Sequence, residues 1–290
     1  MKILFTFFLS VLSLLANNAF ISAEDLYKKL NQKNLVILDT TNLENYKKGH
    51  IANALQVEIS SFRHKAEGKY LLMNSSQKIQ NVVQSLGINN DSEVVLYGHN
   101  NPKELLKASY IALALITNGF DNVSILDGGY TRWEKLFANT DDAISTQTPT
   151  PKKGNFIAKY NPNILVDIQY VKSNIGKVSM IEAREKKYFD GSVQSNGVKR
   201  LGHIKDARSS NWKDKFNKDN TLVNDSKLKS IFIEDNKLNA NNEVITYCTG
   251  GLEASMNWYI LTQYLAFKDV KLYDASMKEW GNLDDTPMEK

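Results

Sequence analysis

The chain has 290 residues, 42% of them hydrophobic and 23% charged, a balance that suits a folded globular protein of about two domains and excludes a disordered or fibrous one. Its 36 basic residues against 32 acidic ones give a formal charge of +4. The lysines are spread without a dense block, which argues against nucleic acid as a partner.

In chain order, the first element is an apolar leader. Residues 1–23 carry one lysine, then an uncharged, mainly apolar run from Ile3 to Ala16, then small and polar residues ending in Ser22 and Ala23. The run is shorter than the roughly 20 residues that span a bilayer. It reads as a secretory signal peptide cleaved near Ala23, which places the mature protein in the periplasm or outside the cell without stable membrane insertion. An exported chain with one cysteine, Cys248, cannot form an internal disulfide and keeps a free thiol. Its four histidines, His50, His64, His99 and His203, form no close-spaced ligand pair, so no metal is expected.

After the leader the same pattern is written twice. The first half runs NLVILDT (34–40), NYKKGHIANALQVE (45–58), EVVLYGHNNPKELLKASYIALALITNGF and NVSILDGGYTRWEKL. The second runs KVSMIEAR (177–184), RLGHIKDARSSNW (200–212), EVITYCTGGLEASMNWYILTQYLAF and DVKLYDASMKEW. Short Val, Ile and Leu runs alternate with segments of helical period, the signature of an α/β domain with a mostly parallel, buried sheet flanked by helices. In the last long segment, Leu252, Met256, Tyr259, Ile260 and Tyr264 fall at helical spacing and are expected to pack on the sheet. The sequence therefore divides into a first domain at 24–139, a linker at 140–162 and a second domain at 163–290. The linker, with three prolines and no sustained periodicity, is expected to drape over both domains.

Aligning the repeats sets Gly98 of the first half against Cys248 of the second. Only the second half can do thiol chemistry. Cys248 ends a strand and opens a glycine-containing turn, CTGGLEAS, into a helix. Unpaired N–H groups at a helix start favour a thiolate, so its pKa is expected to fall from roughly 8.5 toward neutrality. Gly250 and Gly251 let the turn fold tightly. Arg184 stands at the end of the preceding strand, where open α/β sheets place ligands, and its planar fork suits an anion; the alternative is an ion pair that ties the loop to Glu182, Glu185 or Asp206. Lys187, Lys199 and Arg200 are candidate auxiliary cations, for which a solvated surface role is expected instead. His50 and His203 occupy matching turns, as Asp39 and Glu182 occupy matching strand ends, and are read as structural. Trp133 and Trp280 follow the last strand of each half as packing residues.

These residues resemble the rhodanese family of tandem-domain sulfurtransferases, which includes thiosulfate and 3-mercaptopyruvate sulfurtransferases. The resemblance rests on Glu182-Ala183-Arg184, on the Gly-His-Ile turns at Gly49–Ile51 and Gly202–Ile204, on the cysteine loop, and on the closing LYDASMKEWGNLDDTPME. It implies two rhodanese-like domains and a persulfide on Cys248, formed from thiosulfate or 3-mercaptopyruvate and passed to a thiol, cyanide or a protein acceptor, with no cofactor. It also implies that backbone N–H groups from Thr249 through Gly250, Gly251, Leu252 and Glu253 to Ala254 ring the sulfur and, with Arg184, bind the substrate. Thr249 and Gly250 replace the basic residues that thiosulfate-type enzymes carry after the cysteine. Glu253 adds a carboxylate that would repel anionic donors unless it pointed away. Two other readings remain: a sulfur carrier or redox-responsive thiol that does not turn over, and a cysteine phosphatase. The last is disfavoured because Ala254 stands where a phosphate-clamping arginine would.

Overall fold

The computed structural model describes residues 19–67, 69–99 and 101–290. Each half builds a five-stranded, all-parallel sheet with the same strand order. In the first, Phe20–Ile21, Val123–Leu126, Glu93–Tyr97, Leu35–Asp39 and Leu55–Gln56 lie side by side. In the second, the order is Leu165–Val166, Val270–Tyr273, Val244–Tyr247, Ser179–Glu182 and Arg208–Ser209. The central strands Glu93–Tyr97 and Val244–Tyr247 are almost wholly buried, which explains their unbroken apolar runs.

The repeat extends to single hydrogen bonds. Tyr97 and Tyr247, which end the two central strands, each accept at the hydroxyl from the isoleucine of a Gly-His-Ile turn, Ile51 at 3.1 Å and Ile204 at 3.0 Å. His50 Nδ1 meets the Tyr46 carbonyl and His203 Nδ1 the Phe189 carbonyl, both at 2.8 Å, and each imidazole stacks on the aromatic ring that precedes it. Both histidines thus fasten turns. Trp133 and Trp280 are fully buried and donate to Ala143 and Pro287.

Two boundaries differ from the sequence reading. Phe20–Ile21 is an edge strand of the first sheet, Ser22 caps the helix Ala23–Lys29, and the Ala19 carbonyl accepts from Tyr259 of the second half at 2.7 Å. The folded body therefore begins by Ala19, and cleavage at Ala23 would remove a strand and a cap. The leader reading of residues 1–18 lies outside the described residues. The expected linker also begins too early. Ile144–Ser145 pairs antiparallel with His50–Ile51, just as Met288–Glu289 pairs with His203–Ile204 in the second half. Beyond it, Gly154, Phe156, Lys159 and Asn161 donate backbone hydrogen bonds to Gln84, Ile88, Asn118 and Thr117. That segment lies along the first half rather than over both, because its extended backbone finds its acceptors there.

One apolar cluster spans both halves, and each half has a smaller one of its own. The long helix Pro102–Thr117 packs on the helix Leu252–Tyr259, and residues of both sheets join them in a single cluster that includes Cys248. Pro102–Thr117 is buried nearly all round, as expected of a helix between two layers. Of the stripe read from the sequence, Met256, Tyr259 and Ile260 are fully buried. The helix widens after Tyr259 into a π-type turn over Ile260–Tyr264. The halves also exchange polar contacts. Ser109 and Ser255 hydroxyls meet at 2.8 Å, Asp274 accepts from the Met73 N–H at 2.7 Å, and Asp127 accepts from the Leu222 N–H at 2.7 Å.

Among the described residues, no helix is long and apolar enough to cross a membrane, and no group of three or more His, Cys, Asp or Glu could hold a metal ion.

Candidate active site

Cys248 follows the central strand Val244–Tyr247 and is completely buried. Its backbone is fixed on both sides: its N–H donates to Ser276 Oγ at 3.1 Å, and its carbonyl accepts from Met277 N–H at 3.1 Å. The next carbonyl, of Thr249, accepts from Lys278 N–H at 2.9 Å. Gly251 then turns the chain at φ +87° into the helix Leu252–Tyr259. A side chain there would put Cβ 2.2 Å from Asp274 Oδ1, so this position requires glycine.

Of the loop N–H groups expected around the sulfur, those of Gly250 and Ala254 approach it closely enough to pull the thiol pKa down. Thr249, Gly250, Leu252 and Glu253 are half-buried, and Gly251 and Ala254 are buried. The expectation of a lowered thiol pKa fails. Burial, and after it the charge and hydrogen bond of the Glu253 carboxylate, push the Cys248 thiol up, against the pull of the Ala254 and Gly250 N–H groups. Desolvation, which disfavours the charged form of any buried acid, outweighs the donors of the turn. Glu253 faces the sulfur rather than pointing away.

A thiol whose pKa is raised stays protonated through neutral pH, so its alkylation rate should keep rising with pH beyond the ordinary thiol range near about 8.5. Glu253→Gln removes the negative charge and stabilises the thiolate. Alkylation of the variant by iodoacetamide at pH 7 is expected to be several-fold faster than that of the parent. An equal rate would show that the carboxylate does not govern the thiol.

Arg184 sits close enough to Cys248 to feel its charge, but its fork is taken. Nε and Nη2 donate to the two carboxylate oxygens of Glu182, Nη2 also reaches the Gly202 carbonyl at 2.8 Å, and Nη1 donates to Ser195 Oγ at 3.0 Å. The side chain is 2% exposed. The bidentate grip on an anion expected from the sequence is thus made on Glu182, which leaves one Nη1 hydrogen for any other partner. The auxiliary cations are also directed elsewhere. Lys187 pairs with Glu185 at 3.3 Å, Arg200 donates to the Thr286 and Trp280 carbonyls, and Lys199 is exposed.

Two cations missed in the sequence adjoin the loop. Lys278 lays its Cδ beside Gly250 and its Cε beside Gly197, each 3.7 Å from where a Cβ would stand. Among the described residues its side chain has no hydrogen-bond or ion-pair partner. The signal was available, since Lys278 follows the strand next to the cysteine strand, at the same carboxyl edge of the sheet. Arg63 comes from the first half, on a hairpin of strands Arg63–Ala66 and Tyr70–Met73, and reaches the Gly250 carbonyl at 2.6 Å. Nothing local in the sequence pairs residues so far apart.

The matching site in the first half is chemically different. The Gly98 carbonyl accepts from Tyr130 N–H as that of Cys248 does from Met277, which confirms the alignment. A Cβ at Gly98 would lie 2.6 Å from the Glu104 Cβ and 2.8 Å from its backbone carbon. The helix Pro102–Thr117 starts four residues after Gly98, as Leu252–Tyr259 does after Cys248, and its Glu104 fills the space a thiol would need. Beside it, His99 Nε2 meets Asp39 Oδ2 at 3.1 Å, on the rim of a cavity of about 430 Å³.

The family model for the rhodanese-like domain matches twice, at residues 22–136 and 167–283. A "Putative thiosulfate sulfurtransferase" of Synechococcus elongatus is 28% identical over 263 residues, covering 88% of this chain and 80% of the relative. The "Sulfur carrier protein TtuD" of Thermus thermophilus is 27% identical over 226 residues, covering 74% of this chain and 77% of the relative. Among solved structures, SseA of Escherichia coli, described as a 3-mercaptopyruvate sulfotransferase, superposes with a TM-score of 0.76 at 24% identity, covering 89% of this chain and 98% of SseA. YnjE superposes with a TM-score of 0.82 at 20% identity over 94% of this chain and 68% of its own. The two sheets of identical order, the single cysteine loop and the doubled family match lead to one conclusion: the chain belongs to the rhodanese family and carries two rhodanese-like domains.

Proposed function

We propose that this protein is a sulfurtransferase that carries sulfane sulfur as a persulfide on Cys248. The observation that carries the reading is the placement of the chain's one thiol at a strand end, with the N–H groups of Gly250 and Ala254 on its sulfur. The names borne by the relatives support the same chemistry. In the first step the Cys248 proton leaves to a base or to water, and Sγ attacks the outer sulfur of the donor. A new S–S bond forms, and the bond from that sulfur to the rest of the donor breaks, its electron pair leaving on sulfite if the donor is thiosulfate, or on the enolate of pyruvate, which then takes up a proton, if the donor is 3-mercaptopyruvate. In the second step cyanide or a thiolate attacks the outer sulfur, and the Cys248 thiolate departs with the S–S pair. Dividing the transfer into two displacements lowers each barrier, and fixed N–H dipoles stabilise the anion formed in both.

The charges around the loop favour a donor with one negative group over a dianion. Glu253 opposes anions at the sulfur itself, while Lys278 runs past Gly250 and Gly197 with an ammonium that has no partner among the described residues. A carboxylate held at Lys278, as in 3-mercaptopyruvate, keeps its charge away from Glu253, whereas thiosulfate brings charge to the reacting sulfur. Steady-state assays with each donor, using cyanide or a thiol as acceptor, test this. The expected result is a higher kcat/KM for 3-mercaptopyruvate, and for Lys278→Met a KM raised on the order of tenfold with kcat little changed, as loss of one charge-assisted contact predicts. Turnover with neither donor would remove the support for an enzyme and favour a dedicated carrier.

A further inference from the structure

The half without cysteine is fully folded and buries a large face against the second half, yet the proposed chemistry gives it no part. Its hairpin at 63–73 touches the cysteine loop directly. The Arg63 guanidinium is buried, with 7% of the residue exposed, and lies 4.4 Å from the centre of the Tyr110 ring. Nη2 donates to the Gly250 carbonyl at 2.6 Å and to the Leu71 carbonyl at 3.1 Å. Its counter-ion, Asp274, stands farther off, at 3.5 Å, and is held by the Tyr110 hydroxyl and the Met73 N–H, both at 2.7 Å. The shortest bond of this buried cation goes to a carbonyl of the active loop rather than to its carboxylate.

The geometry of the loop gives that bond a consequence. Gly250 sits between two peptide planes, and a glycine resists rotation of either plane less than any other residue. In a trans peptide the carbonyl and the following N–H point in opposite directions. Lys278 N–H holds the Thr249 carbonyl at 2.9 Å, which directs the Gly250 N–H toward the sulfur. Arg63 holds the next carbonyl and so fixes the plane that carries the Gly251 N–H. Gly251 is already confined by Asp274 and Tyr110, so the clamp and the confinement close on the same turn.

We propose that Arg63 is a positioning residue for the Cys248 loop: by clamping the Gly250 carbonyl it fixes the Gly250–Gly251 peptide, which lies between the two residues whose N–H groups approach the sulfur, and this is what the half without cysteine contributes to the chemistry. The inference deepens the sulfur-transfer reading, but its main test needs no sulfur donor. The charged groups facing Cys248 are Glu253 on the loop helix and the Glu182–Arg184 pair on the neighbouring strand end, and all three remain in every variant used.

The experiment measures the alkylation rate of Cys248 by iodoacetamide against pH in the full chain, for the parent, Arg63→Met, Arg63→Lys and Tyr110→Phe. Tyr110→Phe loosens the same buried cluster without removing a bond to the loop. For Arg63→Met the rate at pH 8 is expected to fall on the order of tenfold, as misplaced groups at a reacting centre predict, and the profile to move to higher pH. Arg63→Lys should move the same way by less, and Tyr110→Phe should match the parent. Where a donor supports turnover, kcat should fall with alkylation while KM stays within about twofold. If Arg63→Met does not fold, Arg63→Lys decides. A profile unchanged or moved to lower pH in the folded Arg63 variants, or an equal displacement in Tyr110→Phe, would overturn the proposal.

Discussion

Cys248→Ser is expected to abolish sulfur transfer, with a loss on the order of a thousandfold or more in kcat, while leaving the fold intact. The magnitude follows from removing the atom on which both half-reactions depend, since a hydroxyl at this site neither ionises readily nor holds a second sulfur. Stability should change little, because serine is close in size to cysteine and its hydroxyl would meet the Gly250 and Ala254 N–H groups and the Glu253 carboxylate that now surround the thiol. Thermal unfolding should therefore shift by no more than about 1 kcal/mol in equivalent stability. The chain has no second thiol to take over. Residual activity near that of the parent would mean that another nucleophile carries the reaction.

Gly251→Ala is expected to be the most damaging single-methyl change in the loop, and Gly250→Ala, one residue earlier, to be tolerated. At Gly251 the backbone is left-handed and the new Cβ would overlap Asp274 Oδ1 at 2.2 Å and press on the Asp274 carbonyl and Tyr110 at 3.2 Å. Asp274 cannot retreat, because it is fully buried and bound by Tyr110 and the Met73 N–H. Left-handed strain and overpacking each cost on the order of 1–3 kcal/mol, so a loss of roughly 2–4 kcal/mol in stability is expected, along with most of the activity as the turn is displaced. At Gly250 the nearest atom to an added Cβ is Lys278 Cδ, at an ordinary 3.7 Å, and the expected change is within about 1 kcal/mol. Denaturant unfolding and turnover of the two variants check the contrast. Equal effects at the two glycines would show that the turn is not held as described.

Much of the fold was legible because it is periodic. The doubled order of motifs, the apolar central strands and the matched Gly-His-Ile turns predicted two parallel sheets, and both have the same strand order. The cysteine loop was legible because a strand, a thiol and two glycines stand adjacent in the chain. What escaped is what the chain assembles from a distance. Arg63 and Gly250, or Tyr110 and Asp274, meet only when the halves close, and no local pattern marks them. The direction of the Cys248 pKa was misread for a related reason: donors in the turn are visible in sequence, but complete burial and the approach of Glu253 are not. Arg184 feels the charge of Cys248, but Glu182, two residues before it, occupies its fork, the ion pair that was the alternative reading from the sequence. At the start of the chain, composition suggested a boundary at Ala23, whereas pairing of Phe20–Ile21 with Val123–Leu126 extends the fold upstream.

The measurement that bears most directly on Cys248 as a sulfur carrier is intact-protein mass spectrometry of the reduced, folded protein after exposure to thiosulfate, to 3-mercaptopyruvate, or to neither. The predicted result is a gain of one sulfur atom with at least one donor, larger with 3-mercaptopyruvate, reversed by cyanide and absent in Cys248→Ser. No sulfur gained from either donor, or the same gain in Cys248→Ser, would contradict it.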